Sequence, residues 1–132
     1  MQDRRHRLRQ RAPIHAAAGG NYLADAQHLL QRDRTESAAS LLYEAAKSSI
    51  NAVANLRGEN PGHTDNKTRA LQAIMEQHPT HELLQDGWEA TRKLHIHCDQ
   101  HHLGEEEFAD SLLLSVAFVQ QMLVLFQQET RN

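Results

Sequence analysis

The segment Thr91–Glu107, TRKLHIHCDQHHLGEEE, concentrates residue types that can do chemistry. It holds four histidines, the only cysteine of the chain and an arginine. A histidine titrates near neutral pH and can accept a proton, whereas an arginine stays charged and presents a planar fork to phosphate oxygens. Arg92 and His97 can therefore divide the two tasks of cutting RNA without a metal, which leaves a 2′,3′-cyclic phosphate. The pair is the candidate catalytic set.

The helix period restricts how these two residues can cooperate. Positions five apart on a straight α-helix are separated by about 140° around its axis. Arg92 and His97 of one chain should therefore point to different sides. The spacing predicts either a helix break near His97 or a composite site to which two copies of the chain contribute. A homodimer is predicted on this basis.

Neighbouring residues offer supporting roles. Trp88 lies one turn before the arginine and can hold its guanidinium by stacking, although such a tryptophan is more often part of the core. His95 and Asp99 flank His97. Asp99 can orient either histidine through a hydrogen bond, although a solvated aspartate at a helix end is the commoner interpretation.

A metal site is an alternative interpretation of the same histidines. On a helix, His97 and His101 share a face, and so do His95, Cys98 and His102, and all are competent ligand types. Such spacings also arise freely in a segment with several histidines. No metal and no cofactor are therefore predicted, and metal storage or sensing remains the third class of function.

Ordinary helix-end electrostatics is the second alternative. His101 and His102 would occupy the last turn of one helix, and Gly104 would end it. Glu105–Glu107 would open the next helix, where carboxylates favour the positive end of the dipole. This interpretation explains these charges without any function, but it leaves the Arg–His pair unexplained.

Apolar residues recur at helical spacing along five segments, and no segment alternates with a period of two. The predicted helices cover residues 21–32, 33–56, 66–78, 80–101 and 105–129. The second begins at a capping box, Asp33–Glu36, and ends before Gly58. The pattern predicts an all-α fold, an antiparallel bundle of four long helices and one short helix.

Charge is unevenly distributed along the chain. Residues 1–13 carry five arginines and one aspartate, whereas the remainder holds nine Lys/Arg against sixteen Asp/Glu. Residues 1–20 are predicted to be a basic, disordered N-terminal arm that precedes a folded domain at 21–129. Such an arm can neutralise phosphates, but the acidic remainder argues against a broad surface for duplex binding.

Length and composition limit the class of protein. A chain of 132 residues forms one domain. Its apolar runs fall short of the roughly 18 residues of a membrane span, and its N-terminus lacks a signal-peptide core. One cysteine excludes an internal disulfide and is typical of a reducing compartment, so a cytoplasmic location is predicted. There is no glycine-rich phosphate loop.

Residues 21–129 resemble HEPN domains. The similarity lies in the small residues of the second helix, AASLLYEAAKSSINAVANLRG, in the following loop and short helix, and in Arg92-x4-His97 before a long final helix that starts with acidic residues. This resemblance implies a metal-independent endoribonuclease of the toxin or defence type. It also implies a homodimer that joins the Arg and His of both subunits, and a minimal nucleotidyltransferase as antitoxin partner.

One position departs from the family pattern. Lys93, a further candidate supporting residue, follows the arginine, where active members tend to have a small polar residue. Together with the acidic body of the chain, it favours the alternative of a non-catalytic HEPN-like subunit that binds a nucleotide or belongs to a larger complex.

Overall fold

The computed structural model describes residues 2–62, 64–78 and 81–131, and these residues form five helices and no strand. The helices are α1 (Gln2–Gln31), α2 (Thr35–Leu56), α3 (Thr64–Met75), α4 (His81–Gln100) and α5 (Glu105–Thr130). The predicted all-α class is confirmed. The predicted boundary between the third and fourth helices, at residues 79 and 80, lies outside the described residues.

Helix α2 contacts each of the four other helices. Small side chains line its buried surface, so neighbouring helix backbones can approach it closely. Six alanines are at most 1% exposed: Ala38, Ala39, Ala45, Ala46, Ala52 and Ala54. Leu42, Ile50 and Val53 are fully buried between them and supply the larger apolar surface. The composition of α2 therefore sets how tightly the whole domain packs.

Helices α1 and α2 are antiparallel neighbours over a long stretch. Near one end, the Arg9 Nε donates a hydrogen bond to the Leu56 carbonyl oxygen at 3.3 Å. Towards the other end, Gly19 lies so close to α2 that a Cβ built on it would be 3.4 Å from the Ala45 carbonyl oxygen. The long contact explains why both helices bury one continuous face.

The helix start predicted near residue 21 is wrong. Residues 2–20 form the first half of α1, and Leu8 and Ala12 within it are 4% and 0% exposed. Pro13 and the Gly19-Gly20 pair lower helix propensity, which is why the sequence indicated a separate arm. Burial outweighs that cost, because α2 is about 33 Å long and a helix beginning at residue 21 would cover only part of it.

The predicted capping box is also wrong. Arg34 is the N-cap of α2 and makes no side-chain capping hydrogen bond. Asp33 instead has a positive φ of 59° and belongs to the three-residue turn between α1 and α2. Aspartate tolerates this left-handed conformation better than most residues, so the turn uses it for backbone geometry.

Helices α4 and α5 form a second antiparallel pair. The Thr91 hydroxyl donates to the Gly87 carbonyl at 2.7 Å and lies 2.7 Å from the Ser115 hydroxyl, which completes a buried chain of hydrogen bonds. One turn away, Gly87 leaves room for Phe118, which is fully buried. These contacts hold the helix that carries Arg92 and His97.

The expectation that no helix is long and apolar enough for a membrane span is wrong for α5. By length and composition this helix qualifies. An 18-residue stretch of it has a mean hydropathy of 1.7, and 39% of that stretch is buried inside the domain. Part of this apolar character belongs to the core, since Leu112, Phe118, Val119, Met122 and Leu125 are buried. Leu113 and Val124, on another face, are 71% and 43% exposed.

We expect Gly87→Ala to destabilise the domain by about 1–3 kcal/mol, because overpacking costs more than the gain in helix propensity. A Cβ at this position would lie 2.4 Å from the Phe118 Cβ, so α4 and α5 must move apart. Gly20→Ala is the matched control, since no atom lies within 4 Å of its new Cβ, and it should stabilise by up to about 1 kcal/mol. Urea denaturation of both variants measures the difference, and equal effects would contradict the tight α4–α5 contact.

Candidate functional site

Arg92 lies at the rim of a cleft of about 620 Å³ between α3 and α4. Leu71, Met75 and Trp88 form its apolar part. The polar residues that line the cleft are Thr68, Gln72, Glu76, His78, Gln85, Glu89 and Arg92. The Arg92 side chain is exposed, so its guanidinium is available to a ligand.

Trp88 connects this cleft to the core. It is 3% exposed, its indole N–H donates to the Thr68 hydroxyl at 2.9 Å, and its ring is parallel to Tyr43 with centroids 6.4 Å apart. In the described part of the chain, the cation–π contact that is found joins Lys47 to Tyr43, not Arg92 to Trp88. Trp88 therefore supports the wall of the cleft rather than the guanidinium of Arg92.

The far end of the cleft is held by a charged cluster at the helix ends. The Arg57 guanidinium binds both carboxylate oxygens of Glu129 at 3.0 Å, and the His78 Nε2 lies 3.3 Å from the same carboxylate. Two parallel hydrogen bonds from one guanidinium fix its orientation. The cluster joins the ends of α2 and α5 to the segment after α3, and so it keeps α3 in position.

His97 lies on a different side of α4 and is 6% exposed. The backbone N–H of Leu103 donates to its Nδ1 at 3.1 Å, and its ring contacts Phe108 with centroids 4.6 Å apart. Because Nδ1 accepts a hydrogen bond, it carries no proton, and the ring proton of the neutral imidazole is on Nε2. That Nε2 lies 3.4 Å from the Glu36 carboxylate at the start of α2. His97 thus joins three segments of the chain.

The turn after α4 differs from its predicted form. The helix ends at Gln100, and His101 has a positive φ of 49°, so the residue with the left-handed backbone is a histidine rather than Gly104. The His101 amide donates to the His97 carbonyl at 2.8 Å. Gly104 is the N-cap of α5 in an extended conformation, and the three glutamates follow it in the first turn as predicted.

Glu36, His97 and His101 bring three ligand atoms within 4.8 Å of one another. The helical spacing predicted that the two histidines share a face, but it gave no sign of the glutamate, because nothing in the local spacing connects α2 with the end of α4. A metal at the His97 Nε2 would require that nitrogen to lose its proton, and Nδ1 would then carry one. The Leu103 hydrogen bond would be lost, so the observed network favours a structural role for His97.

The other residues predicted to support the Arg–His pair or to bind a metal do not converge on His97. His95 stacks on Tyr43 at a centroid distance of 3.8 Å, and the Cys98 sulfur lies 3.4 Å from the Ser40 hydroxyl. Lys93 forms an exposed ion pair with Glu107 at 3.7 Å. The predicted hydrogen bond from a histidine N–H to the Asp99 carboxylate is not found among the residues that the structure describes.

Comparisons with known proteins return no relative. No family model matches the sequence, and neither a curated protein nor a solved structure matches it.

We expect His97→Ala to destabilise the domain by about 1–3 kcal/mol, because the buried Leu103 amide loses its acceptor. His95→Ala is the matched control, since it removes the same ring from an exposed position on the same helix. Thermal unfolding followed by circular dichroism measures both. If His97→Ala is as stable as the unchanged protein, the assigned role of His97 is wrong.

Proposed function

We propose that this protein is a non-catalytic helical module that binds a nucleoside monophosphate in the cleft between α3 and α4. The observation that carries the proposal is the exposed Arg92 at the rim of a cleft with an apolar floor. A volume of about 620 Å³ lies within the range of small-ligand sites, which are commonly apolar with a few polar groups.

The distribution of charge limits the ligand. Arg92 faces the cleft together with Glu76 and Glu89. A ligand with many phosphates would meet two carboxylates and one guanidinium, so a single phosphate is favoured. The carboxylates are acceptors and suit the ribose hydroxyls or an exocyclic amino group, whereas Leu71 and Met75 suit the flat face of a base.

The ribonuclease activity that the Arg-x4-His spacing predicts has less support from the geometry. A general base needs an unprotonated nitrogen within reach of the 2′-hydroxyl. The unprotonated nitrogen of His97 is bound by the Leu103 amide, and its Nε2 faces Glu36. With the ring 6% exposed, a second copy of the chain would have to displace this network to use it. We therefore favour binding over cleavage.

The predicted partners and the predicted location remain predictions. A homodimer, a nucleotidyltransferase partner and a cytoplasmic location are each compatible with the proposal, and none of them is required for it. The exposed apolar side chains on α5, such as Leu113 at 71%, are compatible with a contact to another protein.

Trp88 allows a direct test, because it is the only tryptophan and it lines the cleft. We expect adenosine, guanosine, cytidine or uridine monophosphate to change its fluorescence with saturation. Arg92→Ala should weaken binding about tenfold to a hundredfold, since a charge-assisted hydrogen bond is worth about 1.5–3 kcal/mol.

Lys93→Ala is the matched control for this experiment. It removes the same charge from the next residue, but its ion pair with Glu107 lies outside the cleft lining. Its affinity should equal that of the unchanged protein. The proposal is wrong if none of the four nucleotides binds, or if Arg92→Ala binds as tightly as Lys93→Ala does.

Cleavage is tested separately on mixed RNA with EDTA present, using the unchanged protein and Arg92→Ala at high concentration. We expect no cyclic-phosphate ends from either protein. Such ends from the unchanged protein, and not from Arg92→Ala, would establish the ribonuclease and exclude a purely binding role. Arg92→Ala is the informative variant, because the Arg92 side chain is exposed and its removal should leave the fold intact.

A further inference from the structure

We infer that the N-terminal half of α1 is a binding site for the phosphate backbone of a single-stranded nucleic acid, formed by Arg4, Arg7 and Arg11 together with Asn60. This site is separate from the Arg92 cleft and does not depend on the function proposed there.

The three arginines share one side of α1. Their positions, i, i+3 and i+7, fall within about 60° around the helix axis. With Leu8 and Asn60 they line a cleft of about 270 Å³, so Asn60 of the loop between α2 and α3 faces them. Guanidinium groups along one helix face, with an amide opposite, offer several donors to phosphate oxygens.

The other two arginines of this segment have a different task. Arg9 donates to the Leu56 carbonyl, and the Arg5 side chain covers Gly58, which has a positive φ of 79°. Both therefore lie at the C-terminal end of α2, where basic side chains favour the negative end of the helix dipole. Because Arg5 and Arg9 cover the end of α2, the arginines of the binding face are not required for that role.

The arginines of this face, Arg4, Arg7 and Arg11, form no ion pair with a carboxylate in the described structure, which covers residues 2–62, 64–78 and 81–131. Farther along the same helix, burial lowers the pKa of His15, and Arg11 and Lys67 lower it further. Arg11 and Lys67 are therefore close enough to disfavour the charged form of His15, and an anionic ligand would offset that effect.

Lys67 also positions the loop that carries Asn60. It is 5% exposed, and its ammonium donates to the carbonyl oxygens of Pro61 and Gly62 at 2.9 and 3.1 Å. Burial lowers its pKa, and Lys47 adds to that effect. A buried cation that holds the loop beside three arginines adds positive potential where a phosphate would bind.

Nucleic acid is favoured over a membrane surface. An interfacial helix would expose an apolar face, whereas Leu8, Ala12, Leu23 and Ala26 of α1 are buried in the domain. A single strand is favoured over a duplex, because the cleft is small, at about 270 Å³, and the rest of the chain is acidic. Three contacts to a flexible backbone need no particular base sequence.

The test measures the binding of a fluorescent single-stranded RNA of mixed sequence by anisotropy, with the full chain and at several salt concentrations. We expect the triple variant Arg4→Gln/Arg7→Gln/Arg11→Gln to lose at least about tenfold in affinity. The slope of log affinity against log salt should become shallower by about 2, since each lost contact to a single strand contributes about 0.7.

Arg32→Gln/Arg34→Gln/Arg131→Gln is the matched control, because it removes the same charge from other exposed positions. Equal losses of RNA affinity in both triple variants would show that net charge alone explains the effect, and they would overturn the proposal. The proposal would also be overturned if anionic lipid vesicles bound the unchanged protein more tightly than the RNA does. A single-stranded DNA of the same sequence distinguishes recognition of the backbone, which predicts similar affinity, from a requirement for the 2′-hydroxyl, which would overturn it.

Two further measurements keep the test valid if the triple variant does not fold. Asn60→Asp places a carboxylate opposite the arginines without changing α1, and it should weaken RNA binding several-fold, whereas Asn21→Asp at an exposed position of α1 should not. An NMR titration of the unchanged protein should show the pKa of His15 rising when the RNA is added, because phosphates offset the effect of Arg11. No effect of Asn60→Asp and no change at His15 would each contradict the site.

Discussion

Close packing against the alanine-rich surface of α2 is the constraint on which the rest of the structure depends. Every other helix contacts α2, and its buried alanines leave no side-chain volume that could keep a neighbour away. The long pairing with α1 follows from this, because the apolar face of α2 must be buried at both ends of the helix. Larger side chains on this surface would separate the helices and expose the apolar residues between them.

The same packing places Arg92 and His97, the candidate catalytic pair of the sequence, in different surroundings. Helix α4 has one side towards α3 and another towards the junction of α2 and α5. Arg92 therefore faces an open cleft, whereas His97 is enclosed by Glu36, Leu103 and Phe108. Arg92 and His97 have the residue types that RNA cleavage needs, but the fold gives them different roles. Arg92 is a cation that faces a ligand cleft, and His97 accepts a structural hydrogen bond.

The positions of charged residues on the helices matter more in this protein than its net charge does. The chain is acidic overall, yet α1 collects five arginines within three turns and divides them between two faces. One face closes the end of α2, and the other faces solvent beside Asn60. The acidic residues serve local roles elsewhere, as Glu129 does in holding Arg57 and His78 together.

The sequence by itself determined the helical class, the extents of α2 and α5, and the acidic first turn of α5, because these follow from local periodicity and propensity. The helix period also predicted that Arg92 and His97 diverge if the helix is straight, and only the structure showed that α4 runs unbroken to Gln100. Tertiary structure decided what propensity could not. Residues 2–20 are helical through Pro13 and two glycines because Leu8 and Ala12 are buried, and Glu36 reaches His97 because α2 and α4 pack together. Contacts between segments distant in the chain carry no local signal, so only the packed fold reveals them.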